Sequence, residues 1–268
     1  LEAKGNMNPL NEKEQKIVGI ALYTARGAMP ELKQALSEGL DAGLTIQEIK
    51  EILVQLYAYC GFPRSLNALG NLMELLRERE AKGIRDAVGK LPGPLPAGKS
   101  IDFGSANQTR LCGGPVKGAL FEFAPAIDEY LKAHLFGDIF GRDNLDWRTR
   151  EIATVAALAA MENVDSQLRS HIAIAERNGV NPAQIAEILN EVKSRFATPF
   201  PRGKENTAYA RYFSGKSYLA PLTSDKRLNV PVANVTFEPG CRNNWHRHTG
   251  GQMLIAVGGV GYYQERGQ

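Results

Sequence analysis

The chain has only four histidines, and two of them are separated by a single residue: His246-Arg247-His248. In an extended strand, residues i and i+2 point the same way. Both imidazoles then face one side and Arg247 the other, a spacing that suits one divalent transition metal ion. Gln252 follows four residues after His248 and offers an amide oxygen as a further ligand. The alternative is two surface histidines on a loop. Three cysteines, Cys60, Cys112 and Cys241, form no Cys-x-x-Cys pair, and their odd number argues against a disulfide framework. Free thiols fit a reducing compartment such as the cytoplasm. A removed leader or a trimmed tag would account for the start at Leu1, so the compartment stays open.

Whatever chemistry the chain performs must be positioned by its elements, and these repeat. Leu44-Thr45-Ile46-Gln47-Glu48 and Val180-Asn181-Pro182-Ala183-Gln184 lie 136 residues apart. Each reads as a helix start. Thr45 and Asn181 are N-caps, and Glu48 and Gln184 complete capping boxes. Leu44 and Val180 staple onto Ile49 and Ile185, and Gly43 and Gly179 suit left-handed helix stops. The same offset pairs Ala21 with Ala157, Leu32 with Leu168, Glu51-Ile52-Leu53 with Glu187-Ile188-Leu189, and Pro63 with Pro199. Coincidence would not reproduce stop, staple and cap in order, so the spacing predicts a duplication of three helices. A fourth helix is expected from Leu66 to about Arg79, with Leu69, Met73 and Leu76 inward. The second copy breaks at Thr198-Pro199-Phe200-Pro201. It gains a helix in front, Pro125 to Leu135, with Ile127, Tyr130, Leu131 and Leu135 on one side.

The Gly- and Pro-rich stretch 83–118 reads as a linker or long loop between the copies. After about Tyr212 the period changes: Val230, Val232, Asn234, Val235, Thr236 and Phe237 read as strand, and Pro239-Gly240 as a turn. The expected architecture is therefore all-α, with copies at 1–82 and 119–211, and a short β segment at 212–268. A net charge of +3 without a Lys/Arg block leaves no footprint for nucleic acid. No apolar run reaches the roughly 20 residues of a membrane-spanning helix.

Two resemblances add to this reading. Leu135-Phe136-Gly137-Asp138, then Leu145-Asp146-Trp147-Arg148-Thr149-Arg150-Glu151-Ile152-Ala153 and Gln167-Leu168-Arg169-Ser170-His171-Ile172, closely resemble the carboxymuconolactone decarboxylase family. The first copy resembles it through Ala58-Tyr59-Cys60-Gly61-Phe62-Pro63-Arg64-Ser65-Leu66-Asn67-Ala68-Leu69. The resemblance implies alkylhydroperoxidase D-like helical units, a small-molecule substrate, no cofactor, and assembly into trimers or hexamers. Relatives that reduce peroxides use a Cys-x-x-Cys pair, a nearby His and an upstream Glu. The matching stretch here, Met161 to Ser170, has no cysteine, and Cys60 reads as a packed core residue.

What remains of such a site is Glu151 and His171, with Glu151 placed to hydrogen-bond the imidazole and hold it as a general acid or base. Arg150 and Arg169, with His134, are candidates for binding a substrate carboxylate. The competing reading makes these residues structural ion pairs between subunits. Copy one carries Gln15, Ala35, Glu14 and Lys33 at the positions of Glu151, His171, Arg150 and Arg169, so it is expected to be a structural partner.

The second resemblance is to the first cupin motif, carried by Pro239-Gly240, His246-x-His248, Gln252 and Gly258 over roughly the last fifty residues. It implies a divalent metal on His246, His248 and Gln252. The family's usual Glu is replaced by Gln252, and its second motif would lie beyond Gln268, so the barrel is expected to be incomplete, or completed by a partner.

Overall fold

The computed structural model describes residues 8–196, 200–223, 225, 227, 230–238, 240–258 and 264. The expected readings at Thr198-Pro199 and Pro239 lie outside these. The chain divides into two compact units, 1–195 and 196–268.

The first unit is helical. Helix α1 spans Glu12–Arg26, α2 Met29–Asp41, α3 Ile46–Cys60 and α4 Phe62–Ala81. Then come α5 Ser100–Cys112, α6 Ala119–Phe123 and α7 Pro125–Tyr130, which runs on as a π-helical segment, Leu131–Ile139. Helices α8 Trp147–Ala159, α9 Asp165–Arg177 and α10 Pro182–Phe196 complete it. The duplication is exact in outline: α9 and α10 begin and end 136 residues after α2 and α3. The caps explain why. Thr45 Oγ1 accepts from Glu48 N at 3.2 Å, and Glu48 Oε2 accepts from Thr45 N at 2.7 Å. Asn181 and Gln184 make the same reciprocal pair at 2.9 and 3.0 Å. Gly43 and Gly179 both stop the preceding helix at φ 90°, where a side chain would be strained. Thr45→Ala removes one box and is expected to cost about 1 kcal/mol in chemical denaturation.

Helix α8 is the centre of this unit. Every residue from Arg150 to Leu158 is buried. A helix enclosed all round must be small or apolar on each face, and Ile152 to Leu158 meets that demand. It packs against α1 and α3 of copy one and α9 of copy two. Hydrogen bonds also cross between the copies. Arg148 Nε donates to Glu14 at 3.0 Å, and Glu187 accepts from Leu10 N and Gln15 Nε2 at 3.0 Å each.

Three local expectations need correction. The buried face of α4 is Ser65, Ala68, Leu72, Leu75 and Arg79; Leu69 and Leu76 pack part-buried against the core as expected, but Met73 is 54% exposed. Of the face proposed for the helix at Pro125, Leu135 is buried but Ile127 and Tyr130 are exposed. The supposed linker contains α5, whose buried Gly104, Gln108 and Leu111 form a narrow stripe. Its sequence has weak helix propensity and little apolar periodicity, so packing makes it a helix. A side chain at Gly104 would collide with Lys132 O and Gly137 N, so the glycine lets α5 press against the π-helical segment. The start of the same stretch is also tied down. Ile46 N and Gln47 N, donors a helix leaves unsatisfied in its first turn, donate to Ala87 O and Val88 O at 2.9 Å each.

The second unit holds small antiparallel sheets. Strands β1 Lys204–Glu205, β3 Ser217–Pro221 and β4 Ala233–Phe237 form one in the order β1-β3-β4, with Tyr218 opposite Thr236. Strands β2 Phe213–Ser214 and β5 Arg242–Asn243 form another. Strand β4 matches the expected run except that Val230 and Val232 lie before it.

Candidate acid–base site

Neighbouring positions on α8 point about 100° apart, and this separates Arg150 from Glu151. Arg150 turns toward copy one. It has no exposed surface, donating from Nη2 to Glu51 Oε1 at 3.0 Å and from Nη1 to Gln55 Oε1 at 3.0 Å. Glu51 also accepts from Arg142 Nε at 2.6 Å and Asn144 Nδ2 at 3.1 Å. Burial pushes the Glu51 carboxyl up, but the Arg142 hydrogen bond and the Arg150 charge outweigh it and hold it below its ordinary value. Arg150 is thus engaged inside the fold and has no surface with which to meet a substrate carboxylate.

Glu151 turns toward α9. Its Oε2 accepts from His171 Nδ1 at 2.8 Å, with Glu151 fully buried and the His171 side chain 10% exposed. With Nδ1–H committed to the carboxylate, the imidazole presents Nε2 as its working atom. The contact is the one expected for a carboxylate that orients a histidine.

Two neighbours were not anticipated as site residues. Tyr59, at the end of α3, meets the His171 ring edge-on at 5.2 Å. Its hydroxyl and Glu151 Oε1 are buried without a hydrogen-bond partner among the described residues. Thr154 Oγ1 is near Tyr59 but is occupied, donating to Arg150 O at 2.9 Å and accepting from Gln55 Nε2 at 2.8 Å. Burial, and then the charge of Glu151, hold the Tyr59 phenol well above its ordinary value, so it stays a proton donor. Cys112, at the end of α5, is the second. Burial and then Glu151 push its thiol up, against the charge of Arg177. Tyr59 sits in the quoted Ala58-Tyr59-Cys60 segment, which was a signal for it. Cys112 was hidden by reading its helix as loop.

Other candidates lie apart from this pair. Arg169 is exposed on α9, two residues before His171, and residues at that spacing do not share a helix face. His134 bonds Asp138 and Tyr57. A hollow of about 260 Å³ lined by Asn107, Phe140, Arg142, Asp143 and Trp147, among others, includes neither Glu151 nor His171.

In the second unit, His246-Arg247-His248 follows β5 in no regular structure, where a strand was expected. The imidazoles nevertheless converge, with Nε2 atoms 3.1 Å apart. His246 Nδ1 donates to Asn244 O at 2.8 Å, which leaves Nε2 as the acceptor nitrogen. At 3.1 Å the two nitrogens stand at hydrogen-bond distance, with His248 Nε2 donating to His246 Nε2. Gln252 is exposed, and among the described residues no group of three His, Cys, Asp or Glu side chains converges.

Comparison with known proteins bears on the helical copies and adds one partial relative. A 60-residue stretch, 22% of the chain, is 45% identical to an (R)-mandelonitrile lyase of Granulicella tundricola. That match spans 45% of the relative, less than half its length. The model of the carboxymuconolactone decarboxylase family matches residues 2–72 and 125–199, one match on each helical copy. With its duplicated helices and these two matches, the chain belongs to the carboxymuconolactone decarboxylase family, in two tandem copies.

Proposed function

We propose that the helical unit catalyses acid–base chemistry, decarboxylation or a related step, on a small carboxylated or lactone substrate. The observation that carries this is the Glu151–His171 contact, a buried carboxylate aiming an imidazole whose far nitrogen is unused. Tyr59 adds a phenol that remains protonated. In decarboxylation the bond to the carboxylate carbon breaks and CO2 leaves. The electron pair passes into an enolate whose oxygen takes a hydrogen bond from Tyr59. His171 Nε2, having taken up a proton from water, then gives it to the carbon that lost CO2 and returns to the neutral Nδ1–H form. Arg177, whose guanidinium lies against Gly113 and whose charge reaches Cys112, is our candidate anchor for a substrate carboxylate. Assembly into trimers or hexamers belongs to the same proposal. Carboxymuconolactone is the probe: CO2 release by the full-length protein supports the reading, and its absence at high enzyme concentration removes it.

A thiol-peroxidase reading is weaker. That reaction needs a thiolate, and burial pushes Cys60, Cys112 and Cys241 all upward.

The convergence of His246 and His248 favours a second activity in the C-terminal unit, in which the pair, with Gln252, holds a divalent transition metal. A bound metal would supply a Lewis acid there. Protein from metal-replete medium is expected to retain metal that His246→Ala loses. Metal-free protein under those conditions would remove this reading. Mandelonitrile, the compound in the relative's name, is the probe to pair with the metal-loaded protein.

A further inference from the structure

A second cluster of titratable groups lies outside the acid–base site. It joins three elements: Ser100 at the start of α5, His134 and Asp138 on the π-helical segment, and Tyr57 on α3. Ser100 Oγ donates to Asp138 Oδ1 at 2.5 Å, and Asp138 Oδ2 pairs with His134 Nδ1 at 2.9 Å. The other imidazole nitrogen, Nε2, meets the Tyr57 hydroxyl. Burial pushes the Asp138 carboxyl up, but hydrogen bonds from Ser100 and His134 outweigh it and hold it below its ordinary value. Asp138 is therefore a carboxylate that accepts from His134 Nδ1–H, and His134 Nε2 is left to accept the phenolic proton.

The network is poorly explained as a stabilising device. The His134 and Asp138 side chains are 49% and 40% exposed, and exposed charge pairs contribute little to stability. The segment that carries both is π-helical, a rare form that is frequent at functional sites. The order carboxylate, imidazole, hydroxyl is that of a nucleophile activated by an oriented base, with a phenol in place of the usual alcohol. Beside the phenol lies an aromatic floor: Tyr57 stacks on Phe62 with centroids 4.2 Å apart, and Phe62 is 60% exposed.

We infer that Tyr57, His134 and Asp138 form a second site, in which Tyr57 is a nucleophile for an activated acyl group carried on an aromatic or similarly flat leaving group. In the acyl-transfer step the Tyr57 oxygen bonds the carbonyl carbon while its proton passes to His134 Nε2. The bond to the leaving oxygen breaks, and that oxygen departs as a phenolate or takes the proton back from His134.

The test uses p-nitrophenyl acetate and the full-length protein, following p-nitrophenolate release and mapping acetyl groups by peptide mass. Tyr57 is expected to acetylate on the order of tenfold faster than the other tyrosines, a modest share of general-base catalysis. Tyr57→Phe removes that adduct. His134→Gln and Asp138→Asn each slow it on the order of tenfold, two independent variants against the chance that one misfolds. Acetylation of Tyr57 no faster than that of its fellow tyrosines, or a rate unchanged in His134→Gln, overturns the inference.

Discussion

Arg150→Ala is expected to destabilise the helical unit by roughly 3 kcal/mol, the low end of the cost of breaking a buried ion pair, because Glu51 keeps Arg142 and Asn144. Three features still make the loss large. Arg150 has no exposed surface, and Glu51 is 3% exposed. The pair joins α3 of copy one to α8 of copy two, so its loss loosens the seam between repeats. Gln55, which bonds both the Arg150 side chain and its carbonyl, loses an acceptor role at the same time. Urea unfolding measures the effect. The double variant Glu51→Leu/Arg150→Met removes both buried charges together and is expected to be less damaging than Arg150→Ala, because Arg142, which also loses Glu51, is part-exposed and reaches water.

The same cluster gives a pH dependence. Glu51 is held below its ordinary value in the fold, so the unfolded chain binds its proton more readily. Its contribution is complete above the ordinary value of about 4.5 and is lost as pH falls through the folded value. Wild-type stability should therefore drop more steeply below pH 4.5 than that of the double variant.

The second large effect is on turnover. His171→Gln and Glu151→Gln are each expected to lower kcat on carboxymuconolactone by about 10²–10⁴-fold, the share typical of a positioned acid or base. Glu151→Gln keeps shape and burial but loses the carboxylate that fixes the imidazole, so it separates orientation from packing. Tyr59→Phe, which deletes one buried hydroxyl, is expected to cost about 10²–10³-fold in kcat if the phenol meets the developing oxyanion. Thermal unfolding of each variant distinguishes these losses from collapse of the fold.

The repeat was legible because its signals are local. Thr45, Glu48, Asn181 and Gln184 sit within one turn of the helix they start, and their bonds depend on little beyond that turn. The contact between Glu151 and His171 was also legible, since successive helices joined by a short connection must pack and each residue lies on the side of its helix that meets the other. What escaped depends on distant contacts. Ser100–Cys112 is a helix because Gly104 admits close packing against the π-helical segment, which no local propensity records. The separate directions of Arg150 and Arg169 follow from helix angle combined with burial, and sequence supplies only the angle. His134 faces Tyr57 and Asp138 for the same reason: its neighbours come from α3 and from a π-turn that periodicity of 3.6 does not describe.

The central claim is that His171 delivers a proton to the carbon that loses CO2. Turnover of carboxymuconolactone in D2O, followed by product analysis, tests it most directly. The account predicts that the wild-type protein places deuterium on one face of that carbon and that His171→Gln, folded by thermal denaturation, loses both the rate and the facial preference. Full turnover with the same stereospecific deuteration in His171→Gln would contradict it.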